Sequence, residues 1–144
     1  MQHFVPEIVS IAEACLGGLR GRSALLIGSE IQRQPYKMLL QQAGIKSIYQ
    51  EETPQRLTAL LPYTQLLMNM PDLSRQGDAV PNLQISAAAI AQGCAGRRTP
   101  LVIFDLAETS SIEELAGLLP AVCLYTPDDL RSILARKLFR MTLV

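Results

Sequence analysis

Short apolar runs and amphipathic stretches of about ten residues alternate along this chain. Five apolar runs predict β-strands, at residues 23–27, 45–50, 64–70, 101–104 and 121–125. Apolar residues at helical spacing predict helices over residues 6–19, 32–42, 54–61, 86–92 and 111–117 and from residue 127 onwards. Strands separated by helices indicate βαβ units. The pattern therefore predicts an α/β fold: a single domain over residues 1–144, with a doubly wound, mostly parallel five-stranded sheet and helices on both faces.

Polar residues mark the ends of several predicted elements. Ser86 is suited to N-cap the fourth helix. Ser111 with Glu114 three residues later matches a capping box at the start of the fifth helix, and Gly117 is expected to end it. Residues 72–81 contain Ser, Gly, Asp and Pro without a period, which predicts a loop.

Composition narrows the possible partners. The chain has thirteen basic and thirteen acidic residues with no charged block, so we expect neither nucleic-acid binding nor membrane binding. Its start lacks the features of a signal peptide and its uncharged runs contain Pro, Asn and Gln, which predicts a cytoplasmic protein. The widely spaced cysteines Cys15, Cys94 and Cys123 are expected to be buried, reduced thiols rather than metal ligands.

The first strand and the helix after it form the turn that in other α/β proteins binds a dinucleotide. In the pattern G-x-G-x-x-G, successive glycines make the turn, admit the pyrophosphate and let helix and strand pack closely. Only the first is present here, as Gly28, while Glu30 and Arg33 replace the other two. The Glu30 carboxylate should repel a phosphate, although the helix N-terminus and Arg33 could still meet an anion. We therefore expect a degenerate turn that binds NAD(P) weakly or not at all.

The candidate cofactor-binding residues lie at the carboxyl ends of the predicted strands, where open α/β sheets bind ligands. Asp105 could equally be a loop anchor, and Asn69 could equally bond its own turn. No catalytic residue and no metal ligand is predicted, since the only histidine, His3, lies near the chain terminus. The candidate set is Gly28, Ser29, Glu30, Ile31, Arg33, Glu51, Asn69 and Asp105.

Three sequence blocks resemble the nucleotide-binding domain of glutamyl-tRNA reductase, the enzyme that opens tetrapyrrole synthesis from charged tRNA. They are S-I-A-E-A with L-R-G-R-S-A-L-L-I-G (residues 10–14 and 19–28), L-Q-I-S with R-T-P-L-V-I-F-D-L-A (83–86 and 98–107), and V-C-L-Y-T-P-D-D-L (122–130). The second is similar to the family's K-P-L-x-x-I-D-I-A, and the third to its G-V-x-L-Y-D-I-D-D-L. The resemblance spans nearly the whole chain and implies a Rossmann-like domain linked to tetrapyrrole biosynthesis.

The chain also departs from the family's pattern. Residues 108–111 replace the family's V-P-R-D, and Glu51 and Glu52 stand where the family's N-R-T suits an NADP 2′-phosphate. The family's catalytic domain, with its nucleophilic cysteine, and its long dimerisation helix are missing. Two functions stay open: a non-catalytic binding or scaffolding protein, or an NAD(P)-binding subunit of an oxidoreductase such as a split glutamyl-tRNA reductase.

The last predicted helix suggests a protein partner. Its apolar face is longer than a small sheet covers, so we expect a homodimer through this helix, with another protein partner as the alternative. The face consists of Leu130, Ile133, Leu134, Leu138 and Met141.

Overall fold

A computed structural model describes residues 2–71 and 84–142 of the chain. Five parallel strands form one sheet in the order β2-β1-β3-β4-β5. This confirms the predicted α/β class and the five-stranded sheet, which is wholly parallel. The strands are β1 (Ser23–Ile27), β2 (Ser47–Glu51), β3 (Leu66–Asn69), β4 (Leu101–Asp105) and β5 (Val122–Tyr125).

Helices cover both faces of the sheet, as expected for parallel strands joined by crossovers. On one face, α1, α2 and α5 pack on side chains such as Leu26, Met68 and Phe104. On the other, α3, α4 and a 3-10 segment pack on Leu25, Leu67 and Ile103. The helices are α1 (Val5–Leu16), α2 (Glu30–Gln42), α3 (Leu57–Leu60), α4 (Ala87–Gly93) and α5 (Pro127–Thr142), with 3-10 segments at Gln2–Phe4, Pro54–Arg56, Leu61–Tyr63 and Glu114–Leu118.

Local sequence explains where several of these elements begin and end. The side chain of Ser86 accepts a hydrogen bond from the Ala89 amide and caps α4 as predicted. Gly17 ends α1 in the left-handed conformation, with φ of 67°. Strands β1, β3 and β4 are buried along their whole length, which matches their continuous apolar sequence.

The expected capping box at Ser111 and Glu114 is wrong. Ser111 is buried and bonds Asp105 and Asn69 instead, while the Glu114 carboxylate accepts from the Ser110 hydroxyl. A short 3-10 segment replaces the predicted helix, and Gly117 lies inside it rather than after it. The helix expected over residues 54–61 is divided into 3-10, α and 3-10 parts. The predicted loop at residues 72–81 lies outside the described residues.

The cysteines are free thiols, but the expectation that they are buried is wrong. Cys15 and Cys123 are exposed and Cys94 is half-buried. Cys15 lies near the end of α1, with its thiol next to the Tyr125 hydroxyl at the edge of the sheet, and Cys123 lies on the edge strand β5. Across the part of the chain that the structure describes, no helix is both long enough and apolar enough to cross a membrane.

Arg97 joins two segments of the face formed by α3 and α4. Its guanidinium donates to the backbone carbonyl oxygens of Leu61 (2.7 Å), Thr64, Thr99 (2.7 Å) and Pro100 (3.4 Å). These carbonyls come from the end of the α3 region and from the residues just before β4. The planar, multi-donor guanidinium can bond all four acceptors at once.

Candidate functional site

The turn after β1 is closed tightly around Gly28. The Gly28 backbone has φ of +154°, a conformation that side-chain-bearing residues rarely adopt, and its amide donates to the Glu51 carbonyl at 2.9 Å. A Cβ at this position would lie 2.6 Å from the Met70 carbonyl oxygen and 3.1 Å from Oε1 of Gln32. The end of β3 and the Gln32 side chain therefore fill the space beside the turn.

A capping box occupies the start of α2. Ser29 is the N-cap, and its hydroxyl accepts a hydrogen bond from the Gln32 amide at 3.3 Å. The Gln32 side-chain oxygen in turn accepts from the Ser29 amide at 3.1 Å. Nε2 of Gln32 also donates to the Pro71 carbonyl at 3.1 Å, so this side chain ties the helix start to the end of β3. Two backbone donors of the helix start thus have partners within the protein.

The two residues that replace the motif's glycines point in different directions. Glu30 is exposed, as is Ile31, whose exposed fraction is 86%. Arg33 is buried, and its Nη1 donates to the Gln50 side chain on β2 at 3.2 Å. Among the described residues, the buried Nε of Arg33 has no hydrogen-bond partner. Arg33 therefore lies between α2 and β2 rather than over the turn.

Glu51 lies at the carboxyl end of β2, close to Arg33 and Gly28 in the fold. Its carboxylate forms an ion pair with Arg56 at 3.3 Å, in which the arginine is mostly exposed. Such an exposed pair contributes little to stability. The Glu51 carboxylate therefore stays next to the turn with a positive partner on its solvent side.

Asn69 and Asp105 belong to a buried polar network on the opposite face of the sheet. Asp105 accepts four hydrogen bonds: from the amides of Ala107 (3.3 Å), Ser111 (2.8 Å) and Ile112 (3.0 Å), and from the Ser111 hydroxyl (2.7 Å). Asn69 donates to the Ser111 hydroxyl at 2.8 Å. The Asp105 carboxylate thus anchors its own loop, which is the structural alternative considered for it.

A cavity of about 620 Å³ opens between α2, α5 and the carboxyl ends of β3 and β4. All eight predicted site residues lie in the described part of the chain, and none of them lines it. Side chains alternate along a strand, so Asn69 and Asp105 point to the α4 face while the cavity lies on the α2 and α5 face. The lining residues are Phe4, Gln32, Tyr36, Met70, Pro71, Leu106, Ala107, Glu108, Thr109, Arg131, Leu134, Ala135 and Leu138.

Three of the polar residues that line this cavity, Gln32, Tyr36 and Arg131, lie on α2 and α5 and are absent from the predicted site. Gln32 is the third residue after Ser29, and this S-x-x-Q spacing is typical of a capping box. The spacing could therefore have predicted a role for Gln32 at the start of α2. Burial raises the pKa of Tyr36, whose ring packs in the core beneath the cavity. Arg131 donates to the Glu108 carbonyl at 3.0 Å and pairs with Asp128 at 2.7 Å. These residues sit on helix faces, where sequence pattern indicates packing rather than ligand contact.

The described residues contain no group of three or more His, Cys, Asp and Glu side chains arranged for a metal ion.

Comparison with known proteins finds sequence relatives that are named glutamyl-tRNA reductase. A scan against protein-family models finds no match. Glutamyl-tRNA reductase of Methanospirillum hungatei is 31% identical over 143 residues, covering 87% of this chain and 34% of that protein. The protein of the same name from Methanocella arvoryzae is 29% identical over 136 residues, covering 87% of this chain and 31% of that protein.

Solved structures agree in the fold. The structure of glutamyl-tRNA reductase from Methanopyrus kandleri superposes with a TM-score of 0.70 at 21% identity, covering 92% of this chain and 36% of that one. The chain thus spans about a third of the length of the curated relatives that it matches. The sequence relatives and the shared fold identify it as a glutamyl-tRNA reductase-like Rossmann domain.

Proposed function

We propose that this domain acts in the cytoplasm as a non-catalytic binding or scaffolding module of tetrapyrrole biosynthesis, with a dinucleotide turn that is closed. The relationship to glutamyl-tRNA reductase supports the pathway. The arrangement at Gly28 supports the loss of cofactor binding, and it is the observation on which the proposal depends.

Two features make the turn unsuited to a pyrophosphate. A phosphate must approach the backbone after the first strand closely and accept hydrogen bonds from the amides of the helix start. Here the Met70 carbonyl oxygen and the Gln32 side chain lie within 3.1 Å of the position of a Cβ on Gly28, so the space beside the turn is already filled. The Ser29 amide already donates its hydrogen bond to the Gln32 side chain, and the Gln32 amide donates to the Ser29 hydroxyl. The residues of this turn therefore do not fit a pyrophosphate.

The cavity beside α5 supports a binding role. It is lined mainly by apolar side chains with a few polar groups, which is the usual character of a small-molecule site. It lies at the carboxyl ends of β3 and β4, next to the point where the strand order reverses between β1 and β3. A ligand in this cavity would be held by α2 and α5 and would contact Gln32 and Met70, but not Gly28 or Ser29.

Calorimetric titration with NAD and NADP tests the closed turn. We expect the parent chain to bind either dinucleotide no tighter than about 1 mM, a binding free energy of about −4 kcal/mol. Replacing Gln32 by Ala together with Glu30 by Gly frees the Ser29 amide and removes a carboxylate. We expect NAD affinity to rise at least about tenfold, since one hydrogen bond to a charged group contributes about 1.5–3 kcal/mol. NADP should gain less, because Glu51 and Glu52 remain.

Gln34→Ala is the matched control, because Gln34 is exposed on the same helix. It should bind both dinucleotides as weakly as the parent does. Micromolar binding by the parent would contradict the proposal and favour an NAD(P)-binding subunit of an oxidoreductase. One observation favours that second function: the buried Arg33 guanidinium has an Nε without a partner in the described chain, beside the β2 end where a nucleotide ribose binds in related folds.

Self-association through α5 is part of the same proposal. Leu130 and Leu134 are buried against the sheet, whereas Leu138 and Phe139 are 44% and 64% exposed near the end of the helix. We expect Leu138→Ser with Phe139→Ser to weaken self-association in sedimentation velocity while leaving the melting temperature unchanged, because a second copy would cover these side chains.

Leu118→Ser serves as the control for self-association, since Leu118 is 80% exposed on the 3-10 segment of the opposite face. It should leave the association unchanged. A monomeric parent, or a double variant that unfolds, would argue against an interface at this helix.

A further inference from the structure

Two cysteines and a tyrosine meet at the β5 edge of the sheet. The Cys15 thiol on α1 donates a hydrogen bond to the Tyr125 hydroxyl, with Sγ 3.2 Å from Oη. Cys123 and Tyr125 are two residues apart on β5, so their side chains lie on the same face, the one that α1 covers. Both thiols are exposed. The site is therefore open to solvent and is formed by elements from the two ends of the chain.

The Tyr125 side chain lies next to both cysteines. Hydrogen bonding to Cys15, burial and hydrogen bonding to Cys123 raise the pKa of Tyr125, in that order of importance. Tyr125 thus contacts the Cys15 thiol directly and shares its strand face with Cys123. The ring is fixed by an edge-to-face contact with Phe104, at a centroid distance of 5.2 Å. The phenol is therefore held in place beside two exposed cysteines.

We propose that Cys15 and Cys123 form a dithiol site for one soft, thiophilic metal ion, for which Cu(I) is the probe. Thiolate sulfur selects soft ions such as Cu(I), and a pair of thiolates can complete a two-coordinate Cu(I) site. On binding, each thiol loses its proton to solvent and two S–Cu bonds form, with no change in the oxidation state of copper or sulfur. Structural zinc prefers four protein ligands, and the described residues contain no group of three His, Cys, Asp and Glu for it.

Cys94 supplies a matched control within the same chain. It follows α4, on the opposite face of the sheet from α1, and its thiol is half-buried beside Arg97. Burial raises the pKa of this thiol, while the charge of Arg97 lowers it. It is a thiol without a second thiol nearby among the described residues, so it should not hold copper.

Competition with the Cu(I) chelator bicinchoninate under anaerobic, reducing conditions tests the site on the whole chain. We expect the parent to take up one Cu(I) per chain. Cys15→Ser and Cys123→Ser should each weaken uptake by more than about 100-fold, since even the loss of a group behind a ligand costs about 10–100-fold. Cys94→Ser should match the parent. X-ray absorption of the loaded parent should show two sulfur neighbours, and thermal melting should show that all variants are folded.

Several results would overturn the proposal. The parent could take up no Cu(I), or the Cys94→Ser variant could lose as much uptake as the other two variants. Cys15→Ser or Cys123→Ser could also retain copper, or the parent could bind one copper per two chains. The last result would mean that a single thiol from each of two copies binds the ion.

Discussion

Replacing Gly28 by Ala should lower the free energy of unfolding by about 3–5 kcal/mol. The added Cβ would lie 2.6 Å from the Met70 carbonyl oxygen and 3.0 Å from the Met70 Cβ, and neither the backbone oxygen nor the buried side chain can move away easily. Crowding of this kind costs about 1–3 kcal/mol, and a rare backbone conformation costs a similar amount. Urea unfolding of the parent and the variant measures the difference.

Two other glycines separate the contributions of crowding and backbone conformation. Gly18 has φ of +108° with nothing within 4 Å of an added Cβ, so Gly18→Ala should report conformational strain alone, at about 1 kcal/mol. Gly117 has ordinary contacts at 3.5 Å and no unusual φ, so Gly117→Ala should change stability by less than about 0.5 kcal/mol. If Gly28→Ala is no worse than Gly18→Ala, the end of β3 does not press on the turn as described.

Replacing Asp105 by Ala should destabilise the domain by about 3–5 kcal/mol. The change removes the acceptor of the amides of Ala107, Ser111 and Ile112, three buried residues. Each buried donor left without a partner costs about 1–3 kcal/mol. Asp105→Asn should be milder, because the amide keeps one acceptor oxygen. Thermal or urea unfolding measures both.

Asp128→Ala is the control for Asp105. Asp128 is highly exposed and forms only an ion pair with Arg131, so its loss should cost less than about 0.5 kcal/mol. A small effect at Asp105, similar to that at Asp128, would show that the loop after β4 does not depend on the carboxylate. Such a result would reopen a ligand-binding role for Asp105.

Periodicity predicted the strands because burial at β1, β3 and β4 is continuous and leaves little ambiguity. The ends of strands and helices were predicted less accurately where tertiary contacts determine them. Ile45 was expected to start the second strand, but it forms an isolated antiparallel bridge with Arg20, and β2 begins at Ser47. Ser111 matches a local capping motif, but it bonds Asp105, six residues earlier, instead. The buried Asp105 carboxylate needs hydrogen-bond donors, and the Ser111 amide and hydroxyl supply two of them.

The candidate site was harder to predict, since it depends on which face each side chain takes. Gly28 and Ser29 were identified because their turn is local in sequence. Gln32 is local as well, but its contact with Pro71 crosses to β3 and is not visible in the pattern. The cavity is built by α2 and α5, which are distant in sequence, and its residues look like ordinary helix residues.

The wholly parallel sheet has a consequence for how this chain folds. Parallel neighbours cannot be joined by a hairpin, so every strand pair must wait for a crossover to close. The inner strand β1 is the extreme case: Ser23 at its start bonds the side chain of Gln65, 42 residues away in sequence, just before β3. Proteins dominated by such non-local contacts fold slowly, because the entropy of closing long loops is lost before the contacts form. During synthesis, one edge of β1 stays unpaired until β3 has emerged.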